Sequence, residues 1–374
     1  MGKKILTVAF FVAGTAIGAS VLGLPIDMRL AGFIPSVLVC IVMGVVMGSS
    51  QLLMALSFLD SNANDLPGMV AEKLGKFGGK LFTSTLTVLI FCLLVAFWIG
   101  AYRTLGVFPL RSVTMIASII CAAICLGYGF KIAGPVNTVL TSCMALSFIC
   151  LTFRTIAGGN MNLLDLVNFK AAAIAMPIVM CSYGFFPVIP LACRYLDNDR
   201  KAIKKAVIFG ATLPIIFNIT TLAISFSVLT QQELAEGAAN GWPVFVVLKN
   251  KLGSEALIVL GNLFSIFAIL SSLFGVTTSM RGAFFDVCKG HGILTRFVEF
   301  VAILVIPLSA AISRPRIFIK ILEFAGGILV NVLAGIIPVM VFAKGKSFNW
   351  KYVLLFGIFG YVFYMELINL FSHH

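Results

Sequence analysis

The chain has 374 residues, 60% of them hydrophobic and only 11% charged, where a soluble protein carries about 25% charged residues. A water-soluble class is excluded, and the chain reads as an all-α integral membrane protein. The net charge of +13 does not point to nucleic acid, because the basic residues are scattered over the ends of apolar runs with no basic tail.

Eleven apolar runs are long enough to cross a bilayer. They cover residues 5–26, 30–59, 81–102, 112–130, 132–153, 171–193, 206–232, 256–280, 297–313, 321–343 and 352–371, and are called spans 1 to 11 below. None alternates in polarity as barrel strands do. Span 1 is too long and too rich in glycine for a signal peptide. The longest polar connections, near 60–80 and 233–255, are loop-sized, so residues 1–374 form a single transmembrane domain. Lys and Arg are denser on the side of the N-terminus, above all in RYLDNDRKAIKK at 194–205. That bias places the N-terminus in the cytoplasm and the C-terminus outside.

Two spans carry breaks. In span 1, GTAIGASVLGLP (14–25) puts Gly14, Gly18, Gly23 and Pro25 where a spanning helix favours good helix formers. In span 6, SYGFFPVIP (182–190) does the same. Broken backbone at membrane depth is tolerated only where protein or a water-filled cavity covers it. Paired breaks of this kind point to a transporter site. The second break lies five spans after the first, so the second unit enters the membrane from the opposite side. The expected architecture is a 5+5 inverted repeat with spans 1 and 6 broken. Residues 5–153 form one repeat and 171–343 the other, with 352–371 as an accessory helix.

An amino acid suits such a site, because its carboxylate and ammonium are both costly to dehydrate. Freed amides around Ile17, Gly18, Ala19 and Ser20, with Gly14 and Thr15 leading in, fit the carboxylate and the positive end of the half-helix. Carbonyls near Tyr183 and Gly184, with the Ser182 hydroxyl, fit the ammonium. Phe185 and Phe186 then wall the side-chain pocket. Trp98 and Tyr102 on span 3 are weaker candidates, since interfacial aromatics sit there as well. The plain alternatives are close helix packing for Gly14 and Gly18 and simple packing for the phenylalanines.

With both breaks placed, the chain resembles the hydroxy/aromatic amino acid permeases, which include the bacterial tyrosine and tryptophan permeases. GTAIGASVLGLP is similar to their G-T-x-I-G-A-G-x-L-x-L-P signature. SYGFFPVIPLACRYLD (182–197) resembles their span 6 pattern, and SSLFGVT (271–277) their span 8 pattern. Phe186 stands where many members carry His, Pro187 where a small residue is common, and Ser20 where the signature has glycine. The resemblance implies a leucine-transporter-like fold of eleven helices in the bacterial inner membrane. It also implies uptake of tyrosine or tryptophan by proton symport. A hydroxyl pair on span 8, as in sodium-coupled members of the wider fold, makes Ser271 and Ser272 a candidate cation site. Sodium coupling, or serine and threonine as substrates, is the alternative.

The chemistry elsewhere is sparse. The nine cysteines lie in or beside the spans without a CxxC and partner histidines, so neither a metal nor a cofactor is expected. His291, His373 and His374 are set aside. Glu299, Glu323 and Glu366 lie in or near spans, and Glu299 sits one turn from Arg296 as an expected structural pair. No acid falls inside the runs of spans 1, 6 or 8, so no proton carrier is named. No phosphate loop or catalytic pairing argues for an enzyme. A channel would need a repeated pore-lining segment or a ring of charge. The expected partners are an amino acid, a coupling cation and the lipid bilayer.

Overall fold

The computed structural model describes residues 2–104, 130–156, 166–253, 255–287, 306–313, 317–344 and 350–372. Among them every regular element is helical and no strand occurs. Seven helices are long and apolar enough to cross a membrane, or eight if the bent pair Gly2–Ala16 and Ser20–Leu30 is one span. These eight are spans 1, 2, 3, 5, 6, 7, 10 and 11. Span 8 is the helix Glu255–Val287. Of span 9 only Ile306–Ser313 is described. Span 4, the Glu299–Arg296 pair and Cys121 with Cys125 lie outside the described residues.

The broken spans sit at the centre. Span 1 packs against spans 5, 7 and 8, span 8 runs along span 5, and span 6 lies against spans 2 and 10. Span 6 is 78% buried, while span 11 is 17% buried, which makes span 11 peripheral. Asn331 Nδ2 ties it on by donating to Phe359 O at 2.9 Å. Span 10 is π-helical over Ala325–Ile336, where spans 6 and 11 pack on it. On span 5, Val139, Leu146, Ile149 and Phe153 recur at helical spacing and are half to three-quarters exposed. Apolar belts of this size are unstable in water and belong against lipid.

Both breaks form as expected. Span 1 is helical over Gly2–Ala16, bends by 50°, and resumes at Ala19–Asp27. Span 6 is helical over Met176–Cys181, opens at 182–185, passes through a short 3-10 turn at Phe186–Val188, and resumes at Ile189–Tyr195.

The polar connections are more ordered than loop-sized segments suggest. Residues Leu66–Leu74 are a helix capped by Asp65, whose Oδ1 accepts from Gly68 N at 2.7 Å. Residues Gln231–Asn240 start with a capping box between Thr230 and Glu233, which satisfies two otherwise orphaned donors. A third short helix, Val244–Leu252, follows, and Lys251 pairs with Glu233 at 2.7 Å. At the other end, Lys4 pairs with Asp197 at 2.8 Å and Arg200 with Asp60 at 2.7 Å. These pairs link the start of span 1 to the turn after span 6, and span 7 to the end of span 2.

Candidate substrate and cation site

The two breaks meet across one narrow cavity of about 20 Å³. Thr15, Ala16, Gly18 and Ser20 line it from span 1, and Cys181, Gly184, Phe186 and Pro187 from span 6. Leu89, Leu93 and Phe97 of span 3, Val276 of span 8, and Leu322 and Val330 of span 10 complete it. An amino acid is far larger than this volume, so its entry requires the walls to move apart. Gly18 is the N-cap of the second half of span 1 and has no side chain to cap the following amides. The first turn of a helix leaves four N–H groups without helical partners, and such a terminus favours an anion. With Gly18 and Ser20 on the cavity wall, a carboxylate is the matching group.

Phe186 and Phe185 part company. Phe186 lines the cavity, and its ring stands edge-on to Phe82 with centroids 6.3 Å apart. Phe185 is buried but does not line the cavity. The remaining span 6 candidates are engaged elsewhere. Tyr183 turns its hydroxyl to Cys40 O at 2.9 Å. Gln51 Nε2 donates to Tyr183 O at 2.8 Å, and Gln51 Oε1 accepts from Phe185 N at 2.8 Å. Ser182 Oγ donates to Val179 O at 2.7 Å and accepts from Asn218 Nδ2 at 2.7 Å. Of the candidate ammonium acceptors, only Gly184 reaches the cavity wall. Trp98 is buried off the cavity, and the Tyr102 side chain lies outside the described residues.

Ser271 and Ser272 do meet span 1. Ser271 Oγ donates to Gly14 O at 3.1 Å. Ser272 Oγ lies 3.0 Å from Gly14 O and 3.1 Å from Ile17 O. Gly18 packs on the same hydroxyl, so that a Cβ there would stand 2.6 Å from Ser272 Oγ. Gly14 and Ile17 therefore belong to the junction with span 8, whereas Thr15, Gly18 and Ser20 face the cavity. Ala19 opens the second half-helix.

Sequence reasoning missed several contributors. Leu89, Leu93 and Phe97 recur every four residues, which marks one helix face, but the same face would also serve plain packing. Gln51 carried a signal, being a buried amide inside an apolar run. Asp27 falls one residue past the apolar run of span 1, yet the helix includes it as its last residue. Its carboxyl lies near the side chains of Glu323, Arg29 and Glu366. Span 1 therefore does carry an acid.

A chain whose described elements are all helical, with a lipid-facing belt and two interrupted central helices around a cavity, is a multi-pass membrane protein. The chain belongs to the tryptophan/tyrosine permease family, whose sequence profile matches residues 1–372. The resemblance read from three motifs is borne out, and amino acid transport is the activity of this class. A tyrosine-specific transport system of Haemophilus influenzae is 25% identical over 87% of this chain and 84% of its own. Glutamine transporter 2 of Aliivibrio fischeri is 26% identical over 90% of this chain and 88% of its own. A solved manganese transporter of Eremococcus coleocola shares the fold with a TM-score of 0.63. That match has 12% identity and covers 98% of this chain and 86% of that one.

Proposed function

We propose that the protein is a secondary active transporter that imports an aromatic amino acid, tyrosine or tryptophan, across the bacterial inner membrane. The observation that carries this reading is the shared cavity, which Gly18, at the uncapped start of a half-helix, and Phe186 both line. The amides suit a carboxylate and the ring, backed by Phe82, suits an aromatic side chain. The architecture proposed is the 5+5 inverted repeat, spans 1–5 against 6–10, with eleven helices and the N-terminus in the cytoplasm. The name of the Aliivibrio fischeri relative makes glutamine the first polar side chain to test against the aromatic ones.

Two observations bear on the driving cation. Proton symport is supported by the nearness of the Asp27 and Glu323 side chains, since acids in or beside spans are the usual proton carriers. Sodium coupling is supported by the junction of spans 1 and 8, where two hydroxyls and two backbone carbonyls converge. Hard cations take such oxygens, and unwound carbonyls coordinate coupling ions in broken-helix transporters. Competition uptake with the twenty amino acids in proteoliposomes tests the reading, with proton and sodium gradients imposed separately. Saturable, gradient-driven uptake inhibited first by tyrosine and tryptophan is the expected result. Ion flux without saturable solute uptake would favour a channel instead.

A further inference from the structure

Span 7 begins with a basic run, Arg200, Lys201, Lys204 and Lys205, and all of these side chains are exposed. Arg200 with Lys204, and Lys201 with Lys205, are like charges four residues apart on one helix, an arrangement that destabilises it. The acids near by are already engaged. Asp60 pairs with Arg200, and Asp197 with Lys4. Asp199 Oδ1 caps the helix, accepting from Lys201 N at 2.8 Å and Ala202 N at 3.2 Å. Lys201, Lys204 and Lys205 have no ion pair among the described residues.

The lysines run directly into a lipid-facing stripe. One turn beyond Lys204 and Lys205 stand Ile208 and Phe209, 57% and 47% exposed, and Ile216 follows at 54%. A helical turn rises about 5.4 Å, so the ammonium groups stand just outside the apolar layer, at the depth of phospholipid headgroups. Beside the run, a polar cleft of about 440 Å³ opens between the end of span 2 and the turn after span 6. Arg194 and Arg200 line it with Asp60, Ser61, Asn64 and Asn198. Arg194 Nε donates only to Pro190 O, at 3.3 Å, and no acid among the described residues pairs with this guanidinium. A guanidinium matches the geometry of phosphate oxygens.

We propose that the start of span 7 and the cleft beside it bind the headgroup of an anionic phospholipid, whose acyl chains lie along Ile208, Phe209 and Ile216. Charge complementarity selects this partner, because basic clusters at the end of a membrane helix attract anionic lipids. The phosphate neutralises the lysines and relieves their repulsion. The cleft takes the polar end of the headgroup, and the apolar stripe takes the chains. A free phosphate would satisfy the charge but leave the stripe unused. A zwitterionic phospholipid carries its own ammonium, which the lysines repel. The inference is independent of which amino acid or coupling cation is transported.

The test is equilibrium binding of fluorescently labelled phosphatidylglycerol to the purified full-length protein in neutral detergent micelles. Saturable binding is expected, competed by unlabelled phosphatidylglycerol but not by phosphatidylcholine or millimolar inorganic phosphate. Lys201→Ala, Lys204→Ala and Lys205→Ala combined are expected to weaken it by about tenfold or more, since each basic residue at a membrane surface contributes about fivefold. Arg at the same positions keeps the charge and is expected to stay within about threefold of the parent. Lys170→Ala with Lys320→Ala removes exposed charge elsewhere and is expected to bind like the parent. A parent without saturable binding, or a triple Ala variant that binds like the parent, overturns the proposal. Equal competition by phosphatidylcholine would reduce the surface to ordinary lipid contact and overturn it too. Displacement by inorganic phosphate would assign a free-anion site instead. Equal losses in the triple Ala and triple Arg variants would assign the lysines a packing role, and an equal loss in the Lys170 and Lys320 variant would assign the binding to overall charge; both outcomes overturn the proposal.

Discussion

Gln51 of span 2 holds the break in span 6 through Tyr183: its Nε2 donates to Tyr183 O at 2.8 Å while its Oε1 accepts from Phe185 N at 2.8 Å. Two of the backbone groups freed by the break are thus satisfied by one amide from a neighbouring helix. A carboxamide carries a donor and an acceptor side by side, which suits a carbonyl and an N–H two residues apart.

The first prediction follows from this contact. Gln51→Leu leaves Tyr183 O and Phe185 N without partners in a buried setting. An orphaned buried group costs roughly 1–3 kcal/mol. The variant should melt measurably lower in detergent, whereas Gln51→Asn should fall between it and the parent. A Gln51→Leu protein with the parent's melting temperature would show that the break has other support.

The second prediction concerns Gly18. A Cβ there would stand 2.6 Å from Ser272 Oγ and 3.1 Å from Phe97 Cε1, so Gly18→Leu should insert normally yet bind no amino acid. Equilibrium binding on the purified variant checks this. Retained affinity would remove span 1 from the site.

The third prediction separates the two phenylalanines. Phe186 lines the cavity and Phe185 does not. Burying a full aromatic side chain contributes on the order of 1.5–3 kcal/mol, and pairing with another ring adds roughly 0.5–1.5 kcal/mol. Phe186→Ala should weaken tyrosine or tryptophan binding by roughly tenfold to several hundredfold. Serine binding should fall much less, because the backbone contacts remain. Phe185→Ala should leave the ratio of the two affinities near that of the parent. Equal losses for tyrosine and serine in Phe186→Ala would make that ring a packing residue.

A fourth prediction addresses coupling. Under proton symport, uptake follows an inward proton gradient without sodium and is impaired by Glu323→Gln. Under sodium symport, uptake requires sodium and is lost when Ser271 and Ser272 both become Ala. Flux assays on the two variants under each gradient decide between them.

The fifth prediction is a pH dependence outside the membrane. Burial acts upward on the Glu233 carboxyl, but hydrogen bonds from Lys251 and Thr230, with the charge of Lys251, outweigh it and hold the group below its ordinary value of 4.5. A lowered folded value means the stabilisation is complete above the unfolded value and is lost as the pH falls through the folded one. The pair is partly exposed, so Glu233→Gln should cost no more than about 1 kcal/mol. Its effect on melting should be visible near neutral pH and vanish in acid.

The membrane class, the spans that are described and both breaks were legible in the sequence because each depends on local chemistry. An uncharged run of spanning length has one stable environment, and glycine with proline interrupts a helix wherever it stands. The motif resemblance carried the family for the same reason. Capped connections such as Thr230 to Glu233 were legible in principle, since the capping box is a four-residue pattern.

What the tertiary structure alone decided is which side of each span faces which neighbour. Phe185 and Phe186 are indistinguishable as a dipeptide, and only the 3-10 turn after the break sends one ring to the cavity. Tyr183 and Ser182 read as site residues by adjacency, but Cys40, Gln51 and Asn218, distant in sequence, occupy their polar groups. Gly14 and Thr141 are 127 positions apart in the chain, and nothing local in either says that they touch. Helix rotation is fixed by the sum of packing contacts around the bundle, a long-range quantity. The sequence by itself determined that this chain crosses the membrane and where its helices break, and the packing of those helices decided which atoms meet at the breaks.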